Sequence, residues 1–246
     1  MKKMKPGLTV ILMLVFAAAF AQKTTGVNRF DKVIVSPHIE VTFVEGTEES
    51  VTIERNSEPD KLNIEVKNRT LRIYLDGAKE ITRSEKVLNY GAGQTKPLYS
   101  GTVVTAIVTY KKLDELSLRG EETHLVKSKL DADRFMLKVY GTSKVYINEV
   151  NLGNLHTRMY GESLLEIKAG SIGDQKYTVY GESKIDVSAI EGNTSKITAY
   201  GEAEFLMNVS DEIKITSFGE ASLAYKGNPR INKWLHFGEM QISKLD

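Results

Sequence analysis

Glycines at positions 120, 141, 161, 181, 201, 219 and 238 recur at spacings of 21, 20, 20, 20, 18 and 19 residues. Six of them sit in nearly the same phrase: Tyr140-Gly141-Thr142-Ser143, Tyr160-Gly161-Glu162-Ser163, Tyr180-Gly181-Glu182-Ser183, Tyr200-Gly201-Glu202-Ala203, Phe218-Gly219-Glu220-Ala221 and Phe237-Gly238-Glu239-Met240. A unit of this length cannot bury an apolar face alone and becomes stable only by stacking on its neighbours, so the period specifies a solenoid.

The pattern inside each unit decides between a helical and a β solenoid. From Tyr177 to Val187, the apolar Tyr177, Val179, Ile185 and Val187 share one parity with Gly181 and Ser183. Thr178, Tyr180, Glu182, Lys184 and Asp186 take the other parity. Period two is a strand pattern, and it recurs over 139–147, 159–167 and 199–207. The Leu-x-x-Leu-x-Leu frame with asparagine, which marks leucine-rich repeats of similar length, is missing. Each repeat therefore reads as one coil of an all-β, parallel β-helix-like solenoid with coils of about 20 residues, joined by turns such as Glu191-Gly192-Asn193 and 170–174. The small residues of the inward parity mark a place where the wall bends inward or the opposite wall comes close.

Upstream, residues 27–118 alternate apolar and polar less regularly, as in Ile39-Glu40-Val41-Thr42-Phe43 and Leu71-Arg72-Ile73-Tyr74-Leu75. Residues 76–102 interrupt them with little apolar periodicity. This insertion holds Tyr90-Gly91-Ala92-Gly93, out of phase with the repeat, and reads as a loop that is either functional or mobile. At the start of the chain, Lys2, Lys3 and Lys5 precede an apolar run from Leu8 to Phe20 that is short for a bilayer span and ends in Ala19-Phe20-Ala21. That is the pattern of a cleaved signal peptide. The expected organisation is a signal peptide at 1–21, β-rich coils with the insertion over 22–118, and regular repeats over 119–246, continuous with the preceding part.

The chain has no cysteine, which excludes a disulfide framework, so stability has to come from apolar burial and backbone hydrogen bonds. It also removes the usual lipid attachment point near a leader. With the three leader lysines set aside, 30 basic side chains face 32 acidic ones, and this balance steers the protein to neither nucleic acid nor anionic lipid. No second apolar stretch of spanning length follows, so no transmembrane segment is expected in the mature chain. The protein is expected to be exported, with a periplasmic, outer-membrane-associated or extracellular destination.

Phe30-Asp31, Val35-Ser36, Ile39-Glu40-Val41, Leu71-Arg72-Ile73, the repeated Gly-x-Ser units and Tyr225-Lys226-Gly227-Asn228-Pro229 resemble the autotransporter adhesin head GIN domain family (DUF2807) of exported Bacteroidetes proteins. The resemblance spans almost the whole mature chain and implies a right-handed parallel β-helix-like fold. Tyr-Gly-Glu-Ser stands here where that family usually has Ser-Gly-Ala-Ser, and Pro37 replaces its usual turn glycine.

If coils stack at strand spacing, Tyr140, Tyr160, Tyr180, Tyr200, Phe218 and Phe237 form an outward aromatic column. Glu162, Glu182, Glu202, Glu220 and Glu239 form a carboxylate column beside it. Neighbouring carboxylates repel by about 1 kcal/mol in water and about 3 to 4 kcal/mol at an effective dielectric of 20, so the column should be wet, bridged or neutralised, with Lys144, Lys184 and Arg158 near in sequence. Two readings stand side by side. Identical stacked side chains stabilise a solenoid by themselves. An aromatic strip flanked by acceptors also suits a polysaccharide or a cell-surface protein as partner.

An enzyme of the polysaccharide lyase or hydrolase kind needs a singled-out carboxylate pair, or a base with a calcium site. The column offers equivalent acids instead, Asp174, Asp186 and Asp211 are scattered, and no phosphate loop, nucleophile elbow or calcium repeat is present. His38, His124, His156 and His236 lack metal-ligand spacing, so neither a metal nor another cofactor is expected. Trp234 reads as closing the end of the core or as an oligomer contact. An open solenoid end needs covering, which makes a homo-oligomer an expectation too. The sequence thus points to a non-catalytic adhesion or binding module, with a polysaccharide-active enzyme as the alternative.

Overall fold

The computed structural model describes residues 23–86 and 95–245. The leader and the Tyr90-Gly91 pair lie outside the described residues. Within them the chain is strand throughout, apart from turns and one 3-10 turn at Pro59–Lys61.

The regular part is a β-solenoid of about six coils. Leu130–Gly141, Val150–Gly161 and Gly170–Tyr180 pair in parallel at a constant offset of 20 residues, and the stack continues through 191–200 and 212–218 to Arg230–Phe237. A second wall stacks Thr123–Val126, Lys144–Ile147, Ser163–Ile167, 183–187, 203–208, Ala221–Lys226 and Met240–Lys244. Alternation puts one parity inside: Leu137, Val139, Val145 and Ile147 are fully buried, while Lys138 and Tyr146 lie outside. The parity shifts twice per coil, as from Ile147 to Val150 and from Leu152 to Leu155, and these corners turn the wall. Burying each such aliphatic side chain contributes roughly 1.5–3 kcal/mol, and each coil supplies the floor on which the next is buried.

The upstream strands join the same stack, but not in chain order. Lys32–Val35 and Ile39–Glu45 form a coil wedged between Glu115–Gly120 and Thr123–Val126 on one side and Thr70–Leu75 and Val104–Tyr110 on the other. Beyond that, Ser50–Asn56 and Leu62–Lys67 add as antiparallel strands, and Lys23–Gly26 pairs with Ser50–Asn56. The parallel stack therefore ends there under antiparallel strands.

At the opposite end, among the described residues, no further strand pairs with Arg230–Phe237 or Met240–Lys244. Lys233 and His236 occupy the register of the buried Ile215 and Ser217, and a pairing irregularity falls between them at Trp234. A charged or polar residue at an inward position and a bulge are both devices that blunt an edge against further pairing. Trp234 does not close the core: the residue is 66% exposed, with the Lys214 ammonium 3.9 Å from its ring centre.

The repeated phrase is a corner. Gly181 has φ of +105°, and a Cβ added there meets the Gly161 carbonyl oxygen at 2.8 Å. The glycine is set by this conformation and by the approach of the coil before it, and its residue is only half-buried. The serine two residues on is the inward one. Ser143, Ser163 and Ser183 donate their hydroxyls to the carbonyls of Gly120, Gly141 and Gly161 at 3.0, 3.0 and 3.2 Å, tying each corner to the one before it. At the wedged coil Pro37 takes the glycine's place, and the positive φ passes to His38 at 71°. His38 is held by Gly101 O at 2.8 Å and Thr82 Oγ1 at 2.6 Å.

Candidate binding face

The corner geometry aligns the outward residues that flank it. The rings of Tyr140, Tyr160, Tyr180 and Tyr200 stack with centroids 5.0, 5.0 and 4.8 Å apart and planes within 5° of parallel. Phe218 and Phe237 continue the column at 5.1 and 5.6 Å. In this arrangement the ring faces cover one another. What the column offers to solvent is a ridge of ring edges and phenol hydroxyls, with Tyr180 and Tyr200 about two-fifths exposed.

The column begins one coil earlier than the aromatic phrase. Arg119 pairs in register with Tyr140, and its guanidinium lies 5.1 Å from that ring's centre. Arg119 is in turn ion-paired to Glu80, which also binds Arg72 at 2.8 Å. Glu80 belongs to the insertion, which leaves the solenoid at the same corner two coils down and folds against the column's start. Its base is fixed by buried Ala78 and Tyr99, by the Tyr99 hydroxyl donating to Asp76 O at 2.7 Å, and by Ser36 donating to Lys79 O at 2.7 Å. The part of the insertion that is described is therefore a docked element, and it carries a short hairpin, Ser84–Lys86 with Thr95–Pro97.

All five column glutamates are exposed, and among the described residues none has an ion-pair partner within 4 Å. With Thr142, Lys144, Lys184 and Glu204 they line a groove of about 630 Å³ that runs along the corner from Thr142 to Gln241. Lys184 does not neutralise the column, since it binds Glu204 on the next coil at 2.9 Å, and Arg158 does not line the groove. A wet acidic column at this spacing costs about 1 kcal/mol per neighbour, which the surrounding coils absorb.

A second concavity of about 490 Å³ adjoins the groove and shares Thr142 with it. Its walls bring together Arg119, Glu122 and Tyr140 with His38, Ile81 and Tyr99. Glu122 is a functional candidate that the repeat pattern conceals. It occupies the inward position taken by Ser143 and Ser163 in later coils, yet it lines this concavity while only 5% exposed. It accepts a hydrogen bond from the Glu121 amide at 3.0 Å and has no ion-pair partner among the described residues. Burial pushes its carboxyl up from the ordinary value, against the backbone N–H bonds that pull it down. The signal was present in the text, because Arg119-Gly120-Glu121-Glu122 lies one period before Tyr140-Gly141-Thr142-Ser143.

The scattered acids have structural partners: Asp174 accepts from Thr194 at 2.6 Å, Asp186 from Ser188 at 2.7 Å and Asp211 from Ser210 at 2.6 Å. His124 is fully buried, with both ring nitrogens lacking a protein partner. Among the described residues no cluster of three or more His, Asp or Glu side chains has the arrangement of a metal site. Nor is any helix there long and apolar enough to cross a membrane.

A family model described as "Putative auto-transporter adhesin, head GIN domain" matches residues 29–229. Among solved structures, a "putative adhesin" from Bacteroides fragilis superposes with a TM-score of 0.71 at 18% identity, over 91% of this chain and 96% of that one. A "putative adhesin" from Parabacteroides merdae gives 0.66 at 16% identity, over 92% and 96%. A "Putative lipid binding protein" from Parabacteroides distasonis gives 0.64 at 19%, over 92% and 96%. At these identities the three establish a shared fold. No curated protein matches the chain.

Proposed function

The chain belongs to the auto-transporter adhesin head GIN domain family, and from that membership we propose that it is an exported, non-catalytic module that binds its partner along the column face. The observation that carries this reading is the groove itself. Exposed carboxylates without ion-pair partners repeat along it from Glu162 to Glu239, and the stacked tyrosines follow the same corner, two residues before Glu162, Glu182 and Glu202. Hydrogen-bonding groups at fixed intervals suit an extended ligand, because each repeat of the ligand meets the same constellation and the contacts add without reorganising the protein. Ring faces are spent on one another, so recognition runs through hydroxyls, ring edges and carboxylates. The polysaccharide or surface protein that such a face takes fits the adhesin names of the family and of two relatives.

The leader pattern and the family support export to the periplasm, the outer membrane or the outside. Catalysis is not supported by the face, whose glutamates are equivalent to one another where a glycosidase uses two carboxyl groups in different environments. The test is to incubate the purified protein with a panel of bacterial and host polysaccharides and surface proteins, following retention and newly formed reducing or unsaturated ends in the same samples. Retention without products is expected. New sugar ends would replace the binding reading by the enzyme one, and no retention of any panel member would remove it.

A further inference from the structure

We propose that the partner of the column face is a second copy of this chain, docked side by side and parallel, so that each row of one copy meets the same row of the other with its charges reversed. This rests on the reading of that face as a binding face and adds the identity and orientation of the partner.

The rows carry the argument. On the outer side of the wall, three successive coils repeat the row Lys176-x-Thr178-x-Tyr180-x-Glu182; the second row starts at Lys196 and the third at Lys214, where Phe218 stands for the tyrosine. Strand pairing sets the lysines, the threonines and the rings of the three rows over one another. A cation therefore stands at one edge of the face and a carboxylate at the other, with a hydroxyl and a ring between them. Among the described residues neither Lys176 nor Lys196 has an ion-pair partner within 4 Å, and the glutamates at the far edge have none either.

Such a row is its own complement. A two-fold axis through its middle, at Val179, sets Lys176 of one copy opposite Glu182 of the other and Thr178 opposite Tyr180, and each contact is made twice. Only one direction of the axis does this. An axis parallel to the stack exchanges the two edges and leaves every row at its own height. An axis along the strands keeps the edges in place and sets lysine against lysine and glutamate against glutamate, which like-charge repulsion opposes. In the parallel pair both copies present the same end of the stack in the same direction, as copies carried on one surface do.

A second observation falls on the same face. Among the described residues the exposed large apolar side chains are Ile81, Tyr180, Tyr200, Trp234, Leu235 and Phe237, and all but Ile81 lie on it. A concentration of this kind marks a contact surface. In the last coil Leu235 pairs with Thr216 and Phe237 with Phe218, so the same two-fold turns the threonine–tyrosine contact into an apolar one, Leu235 against Phe237. The coil interval, 4.8 to 5.6 Å between stacked rings, is common to both copies, which keeps them in step over the five coils from Tyr160 to Phe237. A face of five coils by six residues of strand measures about 25 by 20 Å, or about 500 Å² on each copy. That is at the lower bound for a specific interface, so the pair is reversible and responds to concentration and salt.

The test is sedimentation velocity of the purified protein over a range of concentrations, with two charge reversals. Lys176→Glu with Lys196→Glu makes both edges acidic, and Glu182→Lys with Glu202→Lys makes both basic. Each double variant is expected to weaken self-association at least tenfold, and an equimolar mixture of the two should restore it, because every edge again meets its opposite. Raising the salt from about 50 to about 500 mM should weaken the parent pair severalfold. Orientation is read with single cysteines: Thr178→Cys in one copy should cross-link to Tyr180→Cys in another, and not to Phe218→Cys two coils away. A mixture that fails to associate although the parent does, or cross-linking to the distant cysteine as readily as to the near one, overturns the parallel pairing. A parent that stays monomeric at every concentration, yet retains a polysaccharide or another surface protein of the panel, overturns this assignment and leaves the binding face standing. A monomer that retains no panel member overturns the binding reading as well.

Discussion

Gly181 shows how much of this fold hangs on single atoms. A side chain there has to adopt φ of +105° and displace the Gly161 carbonyl that its Cβ meets at 2.8 Å. Gly181→Val is expected to cost more than about 3 kcal/mol, read as a fall in melting temperature, because backbone strain and the steric clash add. Gly26→Ala, where an added Cβ meets nothing within 4 Å, serves as control and should be close to neutral. Equal melting temperatures for the two variants would contradict the account of the corner. His124 supplies a pH dependence with a defined sign. Its burial lowers the ring from 6.5 to about 3, so the fold holds it neutral while the unfolded chain takes up a proton as the pH falls. Its contribution is intact above about 6.5 and is lost progressively down to about 3, reaching about 2 kcal/mol at pH 5. His124→Leu should remove that part of the acid sensitivity, seen as a smaller loss of urea stability between pH 7.5 and 5.0 than in the parent. Equal losses in both would contradict it. At this scale the sequence hid two residues for a physical reason. Arg119 and Glu122 depart from the repeated phrase at positions that line the second concavity, so a search for the phrase begins one coil too late.

The aromatic column is an element in its own right, built across coils instead of along the chain. Stacked pairs contribute roughly 0.5–1.5 kcal/mol each beyond their burial, so changing Tyr160, Tyr180 and Tyr200 together to Ser, which breaks four contacts, should cost about 2–6 kcal/mol. Chemical denaturation measures this, and retention on whichever polysaccharide binds the parent measures the rest. A folded triple variant that no longer binds supports the ligand face, whereas one that is destabilised and still binds assigns the column to stability alone. Period two within each repeat and the shared parity of 139–147, 159–167 and 199–207 were enough to foresee both the strands and the column, because a 20-residue coil returns each residue to the same place one strand further on. What the parity did not reveal is that the rings lie face to face. Ring orientation depends on side-chain packing between coils, and alternation carries no information about it.

Across the whole molecule, the regular coils were legible because each repeats its neighbour, and the upstream part was not, because strand order there is set by long-range pairing. Nothing in the alternation of Ile39 to Phe43 says that this strand lies between 104–110 and 123–126, or that Ser50–Asn56 and Leu62–Lys67 run antiparallel to close the stack. The two ends of the described stack are unlike as a result: one sits under antiparallel strands, and the other carries Lys233 and His236 at the register of buried Ile215 and Ser217. The underlying geometry, Glu162 and Glu182 as neighbours across adjacent coils and Glu202 one coil further, is open to a direct measurement because the chain has no cysteine of its own. Introducing Glu162→Cys with Glu182→Cys should give rapid, quantitative intramolecular disulfide formation under mild oxidation, since neighbouring strands hold their Cα atoms within bonding range. Glu162→Cys with Glu202→Cys, a coil too far, should stay reduced under the same conditions. Cross-linking of the distant pair as readily as the adjacent one, or of neither, would contradict the stacked corner on which the binding face is built.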